Sequence, residues 1–243
     1  MQLIDSGASQ TDWSMIAQAA DDDDQEAGDA LECLVRRYWS AVYAYVRRTG
    51  YNVHEAADLT QGFICDIILS RRLCDHADPQ RGRFRSLLLS AVRNYLREKH
   101  RHDMRRRDLV DDDEPLPIDQ WPAETRAGDA PEEAFCYLWS ATVVRQVLTD
   151  VREACEADGL DAHWTVFEHR VVRPMLLNEP PTDHAALVQQ LGLKNEAQAA
   201  NMMVTVKRRF VRALHREIGR TVVDPDQIEA EMRELLRNLE RPA

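Results

Sequence analysis

Apolar residues recur at steps of three and four along most of this chain, and the elements they predict are helices. From Leu31 to Arg48, one face collects Leu31, Leu34, Val35, Tyr38, Val42, Tyr45 and Val46, and Gly50 then ends the helix. His54 to Arg72 continues with Ala57, Phe63, Ile64, Ile67 and Ile68. The next stretch, RGRFRSLLLSAVRNYLREKHRHDMRRRD, has Leu87, Leu88, Ala91, Val92, Tyr95 and Leu96 on its apolar side. Further on, Leu138, Ala141, Val144, Val147, Leu148 and Val151 share a face, and HWTVFEHRVVRPML predicts another helix, stopped at or soon after Pro174. A last stripe of Ile228, Met232, Leu235 and Leu239 predicts a terminal amphipathic helix. No stretch joins strict alternation to hairpin turn residues, so no sheet is expected. The fold class this predicts is all-α, two small helical modules joined by an acidic linker.

Polar breaks set the boundaries. An N-terminal extension, 1–30, contains an acidic loop of Asp21 to Asp24 with Glu26 and Asp29. The first module covers 31–107. A linker, 108–133, holds ten carboxylates, one arginine and the prolines Pro115, Pro117, Pro122 and Pro131; it has too little apolar surface to offset the cost of ordering. The second module covers 134–220, broken at Pro180 and Pro181, and the terminal helix lies in 221–243.

Charge changes the picture next. The chain carries −11, yet the segment from Arg71 to Arg107 holds twelve Arg/Lys against four Asp/Glu. A positive stripe inside a negative protein points to a confined contact with a polyanion. Phe84 and Tyr95 lie among the arginines, where aromatic rings suit stacking on exposed bases. The acidic total excludes a protein that coats DNA by charge alone.

The segment TDHAALVQQLGLKNEAQAANMMVTVKRRFVRALHREI reads as a helix-turn-helix. Thr182 or Asp183 caps its first helix, where Ala186, Leu187 and Leu191 face inward. Gly192 supplies the turn, and Leu193 plugs the angle between the helices. Asn195 caps the second helix, with Gln198 at the capping-box position. That helix is expected to bury Ala200, Met203, Val204, Phe210, Val211, Leu214 and Ile218. Of its outward residues, Gln198, Asn201 and Thr205 suit base readout, while Lys207, Arg208, Arg209 and Arg212 suit phosphate.

Five cysteines with no CxxC pair fit neither a disulfide framework nor a zinc site, and Cys33, Cys65 and Cys136 read as small core residues. No apolar run approaches the roughly 20 residues of a membrane helix. The amino terminus lacks the basic and apolar regions of a secretory signal, so a cytoplasmic protein is expected.

Taken together, these features resemble the extracytoplasmic-function (ECF) sigma factors, the short two-domain branch of the sigma-70 family. LVRRYWSAVYAYVRRTGYNVHEAADLTQGF is similar to regions 2.1–2.2, RGRFRSLLLSAVRNYLREKHRH to regions 2.3–2.4, and AALVQQLGLKNEAQAANMMVTVKRRFVRALHRE to region 4.2. The likeness runs from about Trp13 to Leu239. It implies a dissociable promoter-specificity subunit of RNA polymerase that needs no cofactor or metal. Docking on the β′ clamp helices of the polymerase core would fall to Asp58, Leu59, Gln61, Phe63 and Asp66. Recognition and opening of the −10 element in promoter DNA would fall to the loop from Asp75 to Arg83 and to Arg83, Arg85, Arg93, Asn94 and Arg97. The −35 element would meet Gln198, Asn201, Thr205, Lys207, Arg208, Arg209 and Arg212. The acidic linker would thread the polymerase's RNA path, and an anti-sigma factor is a possible further partner.

The chain also departs from the family. Gly62 stands where many members carry an acid, the recognition helix lacks the commoner Gly-Thr-Val core, and the terminal helix exceeds the minimal pattern. Two other readings of the residues stand beside this one. An autonomous helix-turn-helix regulator would need a dimer to read paired half-sites, with the terminal stripe as its seam. An enzyme would draw on His100, His102 and Asp103 as a metal cluster or on Glu168 with His169 as an acid–base pair. No phosphate loop, HExxH motif or nucleophile elbow accompanies either group.

Overall fold

The computed structural model describes residues 25–69, 84–107, 130–220, 222 and 225–240, and every element among them is helical. The all-α expectation is met. The loop from Asp75 to Arg83, nearly all of the linker and the amino-terminal acidic run lie outside the described residues.

Helix α1 (Gln25–Arg48) starts earlier than expected, taking in Glu26 and Asp29. Gln, Glu, Ala and Leu are strong helix formers, and negative charge alone does not break a helix. At its other end Gly50 adopts φ 108°, and the Arg47 side chain donates to the Tyr51 carbonyl. Helix α2 (Val53–Phe63) opens on a full capping box: the backbone N–H groups of His54 and Glu55 donate to Asn52 Oδ1, each at 3.0 Å. The Asn52 N–H in turn donates to Glu55 Oε2 at 3.1 Å. A π-helical stretch, Ile64–Leu69, continues α2.

Helix α3 (Phe84–Arg107) is the basic helix, and α4 (Pro131–Ala157) follows the linker. Helix α5 (Asp161–Phe167) runs through a second π stretch, Glu168–Val172, into α6 (Arg173–Leu177). Pro174 therefore sits inside the helical run rather than ending it. It has no N–H to donate, and it follows directly on backbone that has already shifted to i−5 acceptors. The run ends at Asn178, which is left-handed at φ 55°. Helices α7 (His184–Leu191) and α8 (Glu196–Gly219) form the helix-turn-helix, and a short 3-10 turn, Pro225–Gln227, leads into α9 (Ile228–Glu240).

The chain forms two compact units, one of residues to Thr142 together with those from Ile218 onward, the other Val143–Glu217. The division thus falls within α4, not between 133 and 134, because α4 is one unbroken helix whose first turns bury Ala134, Phe135 and Trp139. Likewise 221–243 is not a separate appendage: α9 belongs to the first unit. Buried in that unit are Leu34, Tyr38, Val42, Phe63, Phe84, Leu88, Val92, Trp139 and Leu235. Edge-to-face ring pairs, Tyr38 with Phe84 at 5.3 Å and Phe63 with Tyr95 at 5.6 Å, fix how α1, α2 and α3 meet. The second unit is centred on Val166, Leu187 and Ala199, with Val188, Leu191, Leu193, Met202 and Met203 packed around them.

Candidate nucleic-acid interface

Helix α3 presents fewer free cations than its sequence suggests. Arg85, expected on the DNA face, is only 6% exposed. Its Nε donates to Glu231 Oε1 at 2.7 Å and its Nη2 to Glu231 Oε2 at 3.1 Å, while Nη2 also pairs with Glu234 Oε1 at 2.7 Å. The guanidinium lies 5.0 Å from the centre of the Trp139 ring, a cation–π contact. Burial on its own lowers the pKa of Arg85, but the two carboxylates outweigh it and the net shift is upward, so the charge stays. Arg85 is therefore a structural residue that joins α3, α4 and α9. Its partner left a trace in the sequence: Glu231 falls three residues after Ile228 and four before Leu235, an acid set into an apolar stripe.

The other α3 positions divide. Arg93 is half-buried, pairs with Glu132 at 2.7 Å and hydrogen-bonds Tyr45, and these bonds raise its pKa. Asn94, Arg97 and Arg101 are exposed on one side of α3. Arg83 lies outside the described residues.

On α2 and the turn after it, Asp58, Gln61 and Asp66 are exposed and Leu59 is half-buried, but Phe63 is fully buried. Phe63 is thus core, spent on the ring contact with Tyr95 instead of a docking surface. At Gly62 a Cβ would lie 2.5 Å from Tyr95 Oη, so a larger residue there would have to displace that ring. Tyr95 also donates to Asp66 Oδ2 at 3.4 Å, and Lys99 pairs with the same oxygen at 3.5 Å while lying 5.0 Å from the Tyr95 ring centre. The α2 surface is in this way tied to the basic helix.

The helix-turn-helix is built much as its residues predict. Gly192 is left-handed at φ 62°, the Leu193 N–H donates to the Val188 carbonyl at 3.0 Å, and Leu193 packs on the core. Asn195 Oδ1 accepts from the Gln198 N–H at 2.9 Å, and Gln198 Oε1 accepts from the Lys194 N–H at 2.8 Å. Gln198 is therefore a capping residue, held to the backbone at the start of the helix. Asp183 precedes α7 but makes no side-chain cap. Thr182 instead is held through its carbonyl by Arg170 Nη1 at 2.8 Å.

The buried face of α8 differs from expectation. Ala199, Val206 and Leu214 are buried, as is Ile218 where the helix enters the first unit, whereas Val204 is 37% and Val211 47% exposed. Ala200, Met203 and Phe210 are half-buried, and on α7 Ala186 is exposed. This helix has more apolar residues than one face holds, so composition could not select among them. Outward lie Asn201, Thr205, Lys207, Arg208 and Arg212. Arg209 is instead paired with Asp158 at 2.6 Å, a hydrogen bond that raises its pKa. His163, Lys194, Asn195 and Gln198, with Asn201 and Thr205, rim an open hollow of about 450 Å³ at the start of α8.

His100 and His102 are exposed on α3, and the Asp103 side chain lies outside the described residues. Glu168 pairs with Arg173 at 3.7 Å, and His169 Nδ1 lies 3.4 Å from Thr182 Oγ1. Among the described residues, no three His, Cys, Asp or Glu side chains come together as a metal-holding group, and no helix is long and apolar enough to cross a membrane. Of the cysteines expected in the core, Cys33 and Cys65 are exposed and Cys136 half-buried, while Cys155 is the buried one. Compared with models of protein families, with curated proteins and with solved structures, the chain finds no significant match.

Proposed function

We propose that this chain is a promoter-specificity (sigma) subunit of the ECF type, which binds core RNA polymerase in the cytoplasm, recognises −35 and −10 promoter elements and helps open the DNA. The observation that carries this reading is the pairing of two surfaces on two compact units. One unit leaves Asp58, Gln61 and Asp66 exposed on and just after α2, and Asn94, Arg97 and Arg101 exposed on α3. The other bears a helix-turn-helix whose second helix turns Asn201, Thr205, Arg208 and Arg212 outward.

In this reading Asp58, Gln61 and Asp66 dock on the β′ clamp helices. Phe63 serves by positioning them through Tyr95. Asn94, Arg97 and Arg101 face the −10 element, where binding of splayed bases offsets the cost of unstacking. No covalent step is required, so the chain acts as a binding subunit without cofactor. Helix α8 takes the −35 duplex in its major groove.

The autonomous-regulator reading takes the stripe of α9 as its dimer seam; in that stripe Leu235 is fully buried within the chain, and Ile228, Met232 and Leu239 are half-buried.

Co-purification of the tagged chain with core polymerase tests the proposal. Stoichiometric core subunits, lost in Asp58→Ala/Gln61→Ala, are the expected result. Promoter opening lost in Arg97→Glu/Arg101→Glu with core binding retained supports the division of labour between the two surfaces. Tight duplex binding by the free chain, with no polymerase recovered, would sink it; an anti-sigma factor would appear as a second stoichiometric band.

A further inference from the structure

Val204 is out of place by the logic of burial. It is 37% exposed on the outward side of α8, as Val211 is at 47%, although the helix buries other apolar residues. At 100° per residue, Asn201, Val204 and Arg208 fall within an arc of about 60°. An apolar branched side chain is thus set between an amide and an arginine, on the face that the helix-turn-helix geometry turns toward DNA. The apolar feature that a major groove offers such a residue is the 5-methyl group of thymine.

The neighbouring polar residues narrow the choice further. A bidentate contact to adenine needs a donor and an acceptor on one side chain. The Gln198 carboxamide oxygen accepts from the Lys194 N–H, which holds that side chain back against the turn. The single hydroxyl proton of Thr205 goes to the Asn201 carbonyl, at 2.9 Å. Asn201 remains, exposed on the rim of the hollow, with both halves of a carboxamide to offer. Three residues of helix rise about 4.5 Å, close to the ~3.4 Å spacing of base pairs, so Asn201 and Val204 reach neighbouring pairs.

We infer that α8 reads an adenine–thymine step in duplex DNA through Asn201 and Val204, Asn201 specifying the adenine and Val204 receiving the thymine methyl. Gln198 and Thr205 are positioning residues. The inference rests on the DNA-binding reading of α8, which the sigma and autonomous-regulator readings share.

The test is selection from a randomised duplex pool by the full chain, alone and with core polymerase, followed by affinity measurements on the selected site. One A·T pair beside one T·A pair is the expected core of that site. Asn201→Ala should erase the adenine preference, worth about tenfold or more. Val204→Ala, which takes away both γ-methyls, should cost roughly fourfold at the thymine, the value of burying the one thymine methyl. Analogue bases repeat the test on the unaltered protein. Deoxyuridine in place of the thymine should weaken it about as much as Val204→Ala does, and should leave the Val204→Ala chain unaffected. In the same way, 7-deazaadenine should weaken the unaltered protein and spare Asn201→Ala. If the unaltered protein selects a site but tolerates both analogues, the inference is overturned while DNA binding stands. If neither form selects any sequence, the DNA-binding reading falls and takes the inference with it.

Discussion

Among the described residues, α3 and α8 are basic helices that divide their charge differently. On α3, Arg85 is buried against Glu231 and Glu234, Arg93 is held by Glu132 and Tyr45, and Lys99 leans on Asp66. On α8, Arg209 is paired with Asp158, while Lys207, Arg208 and Arg212 lie exposed. Among the described side chains, Arg85, Arg93 and Lys99 of α3 fasten other elements onto it while Arg97 and Arg101 stay exposed, and most of the charge on α8 faces outward. A run of arginines in a sequence is thus two different things until the carboxylates that meet it are known.

The largest way to break this contrast is to remove the carboxylate beneath Arg85. Glu231→Ala takes the fully buried carboxylate away from a buried guanidinium, leaving it the partly exposed Glu234, and should destabilise the first unit by about 3–5 kcal/mol. Urea unfolding followed by circular dichroism checks this, and adding Arg85→Met should recover most of the loss, since no unpaired charge then remains. An unchanged midpoint in Glu231→Ala would remove the fastening role from Arg85.

A smaller effect tests the tie between α2 and α3. Gly62→Ala drives a Cβ against Tyr95 Oη and should cost about 1–3 kcal/mol, as overpacking does. Tyr95→Phe removes the clashing oxygen, so the double variant should be more stable than Gly62→Ala alone. Additive losses would place the strain elsewhere.

The exposed cations sharpen the comparison without touching stability. Arg208→Ala should leave the unfolding midpoint unchanged, weaken duplex binding and flatten its dependence on log salt concentration by about one unit, the share of one phosphate contact. Arg93→Ala should flatten it less, because Glu132 and Tyr45 already hold that guanidinium. Equal salt slopes for the two variants would erase the distinction between the helices.

The smallest effect is chemical labelling. Burial pushes the thiols of Cys136 and Cys155 up, and thiolate is the reactive form. Alkylation at neutral pH, read by mass spectrometry, should therefore mark the exposed Cys33 and Cys65 first and Cys136 and Cys155 late. In Glu231→Ala, Cys136 should move toward the early group as the packing around Arg85 loosens.

By itself the sequence determined the features that local rules govern. Helical periodicity, the glycines at 50 and 192 and the Asn195 cap are properties of a few adjacent residues, and each appears where the pattern places it. The exposed positions Asp58, Gln61, Asn94, Arg97, Asn201 and Arg208 were legible for the same reason: a helix has a fixed angular step, so a polar residue opposite an apolar stripe faces out. Tertiary structure alone decided the pairings across long separations. Glu231 meets Arg85 across most of the chain, Glu132 meets Arg93 across the linker, and Tyr95 closes on Gly62, and no local pattern encodes such a partner. It also decided which of the surplus apolar residues on α8 went inside, leaving Val204 out. Burial depends on what packs opposite a residue, and a helix rich in apolar side chains offers more than one face to choose from.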